Sequence, residues 1–456
     1  MVKGVVTLAV FMTLLLGAGV AQPLFSIDQM KFDLAFYKNK LEQYHPNLYL
    51  YTSKNSVDSY FDSLSATIKS PLSELEFYRI ITLTSKVVKD GHTLILPSFA
   101  TTEYHNTKNR FLPYQIGISG NNLYVKMNCT NEYKIPDGAL IISINGVSGE
   151  KITQQLIERQ VRDGNNLSYP YWIIDRYFRE YYSFSYGHPQ SYEIVYSDNN
   201  QTKHVNVNAL PKDSIYYYRT QNYPSYSFEN TVNSGLILQI DSISNFAILT
   251  IKDFHNEVLK REYKQNFKKT ISTYFDEIIA SGIENLILDL RNNQGGDVEN
   301  GVLLLSHLLD KPFKVVNQYN CLKSKQLAKC KGPSMGKHKP SKKHFNGKLY
   351  VLMNGGSFSN SVIVAACLKT NNRAIFIGTE TGGNPNILAG YAKDFELPNT
   401  KIYVEIPTKQ FVMTSTNQNN GSGLIPDYIV HGNIPDKLQQ IDTEINFIKA
   451  LIKQNE

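Results

Sequence analysis

The feature that most restricts the fold is an alternation in the second half of the chain. An apolar run "FAILTIKDF" (246–254) leads into a helical stretch from Leu259 to Ala280, and "NLILDLRNN" (285–293) leads into another from Asp297 to Leu309. The segment "VLMNGGSFSNSVIVAACLKTNNRAIFIGTETGGN" (351–384) continues the pattern as a buried strand, a glycine corner, a helix and a second strand. Strands that alternate with helices of this length imply βαβ units and a mainly parallel sheet with helices on its faces, an α/β fold.

The rest of the chain reads differently. From Ile27 to about Lys89 apolar residues recur at helical spacing, and Asp90 and Gly91 stop the last helix before a short strand, Thr93 to Leu96. From Leu112 to Leu210 the pattern is short strands with turn signals, as in "YQIGISGNNLYVKM" and "GALIISINGVSGEKITQQLI". Four parts follow: 1–21, a helical segment over 22–110, a mostly β module over 111–211 and the α/β part over 212–456. With 456 residues, 42% of them hydrophobic, the chain can fill several cores.

Residues 1–21 have the layout of a secretory signal peptide: Lys3, an apolar run from Val5 to Leu16, then small residues up to Ala21. The run is shorter than the roughly 20 residues that a spanning helix needs, and no later run is longer, so the expectation is an exported protein, periplasmic or secreted, without an integral span after cleavage. Four cysteines do not frame a fold of this size; Cys321 and Cys330 flank a polar loop where they can pair, and Cys367 belongs to a core. The net charge of +7 resembles a nucleic-acid signal until it is located. Eight lysines lie between Lys323 and Lys343 with no acid among them, and without these eight the remaining net charge is −1. A solvated basic loop is the reading, with no nucleic-acid partner.

Open α/β sheets place ligands beyond the carboxyl ends of their strands. Two strand-to-helix turns there are unusual, "DLRNNQGG" (289–296) and "NGGSFSNS" (354–361). Paired glycines let backbone approach a ligand closely, and N–H groups at a helix start stabilise developing negative charge.

Taken together, these turns resemble those of the carboxyl-terminal processing peptidases and tricorn-core serine peptidases. "LILDLRNNQGG" is similar to the family's D-x-R-x-N-x-G-G turn, "LYVLMNGGSFSNSVIVAA" to its nucleophile segment, "GALIISINGVSGEKI" to the PDZ hallmark and "GSGLIPDYIV" to a late G-V-x-P-D element. The resemblance implies a crotonase-like (ClpP-like) catalytic domain, a PDZ-like β module at 111–211 and hydrolysis of peptide or protein substrates. Within the family's S-x-S-x-S-E pattern the middle serine is the nucleophile, which corresponds to Ser359. Val362 replaces the glutamate. Ser357 and Ser361 become turn and helix-face residues. Without the resemblance, Ser359 reads as a helix cap.

The base differs from that of the bacterial processing peptidases. Their lysine corresponds to Asn384 here, and Lys393 is too far along the chain to substitute. The tricorn-like branch takes a histidine from a G-x-x-H context at a helix-to-strand junction, and "KDGHTLIL" offers His92. Imidazole accepts a proton near neutral pH without further tuning. Asn419, Asn420 and Glu380, with Asp427, are candidates to orient the imidazole. Backbone N–H groups of Gly295 or Gly296 and of Asn360 are the expected oxyanion hole. No cofactor is implied, and the ten scattered histidines show no metal-ligand spacing. The rival readings are a catalytically inactive peptide-binding protein on the same scaffold and, last, acyl-CoA chemistry.

Overall fold

A computed structural model describes residues 23–224, 226, 234–414 and 421–454. The expected signal peptide, residues 1–21, lies outside the described residues. The alternating half folds as a six-stranded sheet. Strands Phe246–Ile251, Asn285–Asp289, Lys348–Met353, Ile375–Gly378 and Tyr428–Ile429 are parallel in that order, and Leu236–Asp241 closes one edge antiparallel. Both faces are buried, as a parallel sheet requires. Leu286, Leu288, Leu349, Val351 and Met353 point into the larger core. Their neighbours Ile287, Tyr350 and Leu352 point the other way, toward Ile448 and Ile452 of the C-terminal helix Thr443–Gln454. The two-residue period therefore sorts one strand's side chains between two cores.

Two expectations for this half need correction. The helical stretch from Leu259 to Ala280 is two helices, Asn256–Tyr263 and Phe267–Ser281. Lys264 takes a left-handed conformation, and the Asn266 side chain accepts the Lys269 N–H, so a C-cap and an N-cap fall in adjacent turns. The basic stretch after Lys323 is not one loop. Val316–Lys323 and Gln326–Cys330 form a hairpin, and Cys321 and Cys330 on its two strands remain free thiols.

That hairpin belongs to a second sheet, in which Tyr403–Met413 pairs with Val316–Lys323, with Ile387–Glu396 and with the short strand Leu94–Leu96. The last pairing matters most. It stitches the residues after His92, far upstream in sequence, onto the part of the chain that follows Ser359. The N-terminal helices Ile27–Tyr44, Lys54–Thr67 and Glu74–Ile81 start on serine caps at Ser26, Ser53 and Ser73, and they share a core with Val404 and Ile406 of this sheet and with Leu397 and Ile402 in the connection before Tyr403.

Residues 114–208 form the third large sheet, in the order Tyr114–Ser119, Asn122–Asn128, Leu140–Ile144, Ser191–Asp198, Gln201–Asn208. The mostly β expectation overlooked its largest element, the 19-residue helix Ser168–Tyr186, kinked at Tyr177. This helix lies along the outer strand. Asp175 accepts the Ile118 N–H at 2.8 Å, and Arg179 donates to the Leu112 and Tyr114 carbonyls at 3.2 and 3.1 Å. Backbone groups that would otherwise be open to another strand are thus taken by side chains. Among the described residues no helix is long and apolar enough to cross a membrane.

Candidate active site

The three serines of the second glycine turn do different things. Ser357 donates its hydroxyl to the Leu290 carbonyl at 2.7 Å and accepts the Asn354 N–H at 3.0 Å, fastening one strand end to its neighbour. Ser361 donates to the Asn293 carbonyl at 2.8 Å. Both are buried and structural. Ser359 precedes helix Asn360–Thr370 in the cap position, yet its side chain makes no capping hydrogen bond. Its backbone sits at φ 54°, ψ −119°, a region that a residue with a Cβ rarely occupies. Strain of this kind costs on the order of 1–3 kcal/mol and survives where the surroundings enforce it. Here the following turn does so: the Ser361 N–H bonds to the Phe358 carbonyl, and the Val362 and Ile363 N–H groups both bond to Ser359.

Gly295, on the first glycine turn, faces this corner. A Cβ there would lie 2.7 Å from both Ser359 Cβ and the Asn360 nitrogen, so the missing side chain keeps the space before that N–H open. The N–H groups of the next three residues are already bonded to carbonyls, which leaves Asn360 as the inward donor of the helix start. The Gly295 N–H itself is not available, because it donates to Asn293 Oδ1 at 2.8 Å. The expected oxyanion donors therefore narrow to Asn360 and Gly296. Gly296 has to be glycine: its φ is 132°, and a Cβ would stand 2.4 Å from the His255 nitrogen.

His92 comes to the same corner. Its imidazole packs on the ring of Phe358, with 4.5 Å between centroids, one residue before Ser359. Neither ring nitrogen has a hydrogen-bond partner, so His92 is not bonded to Ser359, and the contact that brings it to this corner is with Phe358. Burial lowers the imidazole pKa below its usual value against the pull of Asp90, and His45 lowers it further. The neutral form is favoured, as a base requires.

Two of the proposed orienting residues, Glu380 and Asp427, are engaged with other partners. Glu380 accepts from Ser168 Oγ at 2.8 Å, Asn166 Nδ2 at 3.2 Å and the Gly423 N–H at 2.7 Å, and so ties loops together without meeting the imidazole. Asp427 binds Lys369 and the Phe376 N–H. Asn419 and Asn420 lie outside the described residues. Lys393 is exposed, its ammonium 4.6 Å above the Tyr44 ring. Asn384, at the position where a lysine was expected, donates its amide to Tyr51 at 2.7 Å and its backbone N–H to Asp163 at 3.1 Å.

Sequence reasoning missed the buried acids behind His92. Asp90 accepts the His92 N–H at 2.9 Å and the Thr93 hydroxyl at 3.1 Å, with His45 Nε2 3.6 Å away. Burial opposes its charge, but the two histidines outweigh burial and hold the carboxyl below its ordinary pKa. Asp163 accepts the N–H groups of Gly91 and Asn384, joining the histidine junction to the loop after the second sheet turn. Burial, and then the Asp90 charge, push Asp163 up to about 7. Asp90 was legible as the second residue before His92; "RDGNN" around Asp163 reads as an ordinary turn. Among the described residues no group of three His, Cys, Asp or Glu side chains is placed to hold a metal.

Residues 245–430 match the model of peptidase family S41. A carboxy-terminal-processing protease of Bartonella bacilliformis is 26% identical over 169 residues, 37% of this chain and 36% of that protein. A carboxyl-terminal-processing protease of Picosynechococcus is 26% identical over 171 residues, 37% of each chain. The match thus spans just over a third of the length of these relatives. Among solved structures, mature CPAF superposes with a TM-score of 0.70 at 15% identity, covering 94% of this chain and 97% of that one. The similarity in fold therefore extends well beyond the matched residues.

Proposed function

We propose, from the premise that residues 245–430 are a peptidase family S41 domain, that the protein is a serine peptidase with Ser359 as nucleophile and His92 as general base. The observation that carries this reading is the Ser359 corner: a strained, non-capping serine at a helix start, facing a glycine turn. In the reaction, Ser359 Oγ attacks the scissile carbonyl as its proton passes to His92. The oxyanion forms against the N–H groups of Asn360 and Gly296, at the positive end of the helix. Collapse breaks the C–N bond, and the amine leaves with the proton from the imidazolium. A water, deprotonated by His92, then releases the acyl group. The step requires the imidazole to leave the Phe358 ring for the serine next to it, and catalytic hydrogen bonds are often loose before substrate binds.

In this reading residues 1–21 are removed on export, the α/β part is crotonase-like and residues 111–211 are a PDZ-like module. Such modules take peptides by adding a strand. The outer strand here is already served by Asp175 and Arg179, which favours recognition at the nucleophile itself. The rival, an inactive peptide-binding protein on the same scaffold, draws on the absence of a Ser359–His92 bond. A fluorophosphonate probe separates them. Covalent labelling that disappears in Ser359→Ala, together with peptide hydrolysis that disappears with it, is the expected result; an inert serine with intact peptide binding would establish the rival.

A further inference from the structure

Beside the Ser359 corner lies a cavity of about 170 Å³ between the N-terminal helical segment and the helix Ser168–Tyr186. Its near wall belongs to the site. Gln294 directly precedes Gly295, and Tyr169 stacks on Phe358 with centroids 4.3 Å apart and planes 3° from parallel. Asp90 and Thr93, on either side of His92, line it as well. The remaining walls are largely aromatic and aliphatic, with Tyr78, Trp172 and Tyr177 facing Leu94. A cavity of about 150 Å³ with apolar walls accommodates benzene, so this one suits a single large side chain. The Asp90 carboxylate is already engaged by the His92 N–H and Thr93. The Arg159 guanidinium donates to the Gln155 carbonyl at 2.6 Å while its buried Nε has no partner, so an acidic side chain is the competing occupant.

We infer that this cavity is a specificity pocket that takes an aromatic or large aliphatic side chain of the substrate next to the scissile bond. The inference rests on the serine-peptidase reading for its role in cleavage, but the pocket's occupancy can be measured apart from it. Trp172 is the only tryptophan in the chain and forms part of the wall, so its fluorescence reports what enters. Aromatic and aliphatic side chains gain most from leaving water, and a pocket of matching size discriminates by about tenfold to a hundredfold against alanine.

Two measurements test this. In the first, N-acetyl-phenylalanine amide is titrated against the full chain while Trp172 emission is followed, beside the alanine, glutamate and lysine amides. Saturable change with phenylalanine at least about tenfold tighter than with the others supports the pocket. Equal or absent responses, or a preference for glutamate paired with Arg159, overturn it. In the second, a peptide library is digested and the cleavage sites are read by mass spectrometry. Enrichment of Phe, Tyr, Leu or Met at one subsite is expected. Leu94→Trp, which fills the cavity, should shift that subsite to small residues, and Tyr177→Ala, at a half-exposed position, should weaken the preference by removing one wall. A preference unchanged in both variants, or none in the wild type, overturns the pocket. Binding of the phenylalanine amide without fluorophosphonate labelling would refute the peptidase reading alone. Labelling and cleavage without an apolar preference would refute the pocket alone.

Discussion

The strained backbone at Ser359 gives the sharpest test of why that residue is there. Ser359→Ala keeps the Cβ and its strain while deleting the hydroxyl; Ser359→Gly deletes both. The φ 54°, ψ −119° conformation costs a residue with a Cβ about 1–3 kcal/mol, and glycine relieves nearly all of it. Against this stand about 0.5–1 kcal/mol of extra chain entropy for glycine in the unfolded state and about 0.4 kcal/mol for one half-buried methyl group. The net expectation is that Ser359→Gly is more stable than Ser359→Ala by about 1 kcal/mol, while Ser359→Ala equals the wild type within about 0.5 kcal/mol, because the hydroxyl holds no cap. Urea unfolding followed by circular dichroism, with a common slope, resolves a difference of this size. Both variants should be inactive. A glycine variant less stable than the alanine variant, or an alanine variant destabilised by more than about 1 kcal/mol, would show that the serine serves the fold and would remove the argument for a strained nucleophile.

Three more expectations follow from the same surroundings. Because burial lowers the His92 pKa, kcat/KM should hold at neutral pH and fall only as pH drops through a value below the usual imidazole value of about 6.5, and His92→Ala should lose nearly as much activity as Ser359→Ala; an acid limb at or above 7 would point to another base. Asp163, raised to about 7 against about 3.9 unfolded, keeps a proton in the folded state that the unfolded chain has released, so its contribution is lost as pH rises through about 7. The Asp163 contribution to the unfolding free energy should therefore fall by about 2–3 kcal/mol between pH 5 and pH 8, against an opposite contribution from the buried histidines, and Asp163→Asn should remove that part of the slope; an equal slope in both proteins would refute the assignment. Arg291, largely buried, binds Asp289 at 2.7 Å, Asp442 at 2.8 Å and Glu444 at 3.4 Å, fastening the C-terminal helix to the first glycine turn. Arg291→Ala should cost about 2–4 kcal/mol, because it strands carboxylates that are only partly open to water; a calorimetric scan with an unchanged midpoint would contradict this.

Much of the α/β half was legible because period and punctuation coincide there. Apolar runs of five or six residues that alternate with helical stretches read as interior strands of a covered sheet, and the strands at Phe246, Asn285 and Lys348 begin within a few residues of where the pattern places them. The serine corner was legible for a related reason: a helix start directly after paired glycines is a local property, and its backbone donors follow from helix geometry alone. The break at Lys264 was not, since the apolar spacing runs through it and only the cap geometry ends the helix. The helix Ser168–Tyr186 hid because its aromatic residues suit strands as well as helices, and its packing along an outer strand decides the matter.

What tertiary structure alone decided is which distant residues meet. His92 reaches Phe358 because Leu94–Leu96 pairs with Tyr403–Glu405, a register that no local pattern announces. The surroundings of Glu380, Asp427 and the buried acids were likewise invisible, since they depend on which N–H groups and charges enclose each carboxylate. Glu380 is used up by loop contacts, whereas Asp90 and Asp163 sit behind the histidine. Sequence specifies local geometry through sterics and hydrogen bonding over a few residues. The environment of a buried charge is set by chain segments that approach from everywhere in the fold, and so it is decided only when the fold closes.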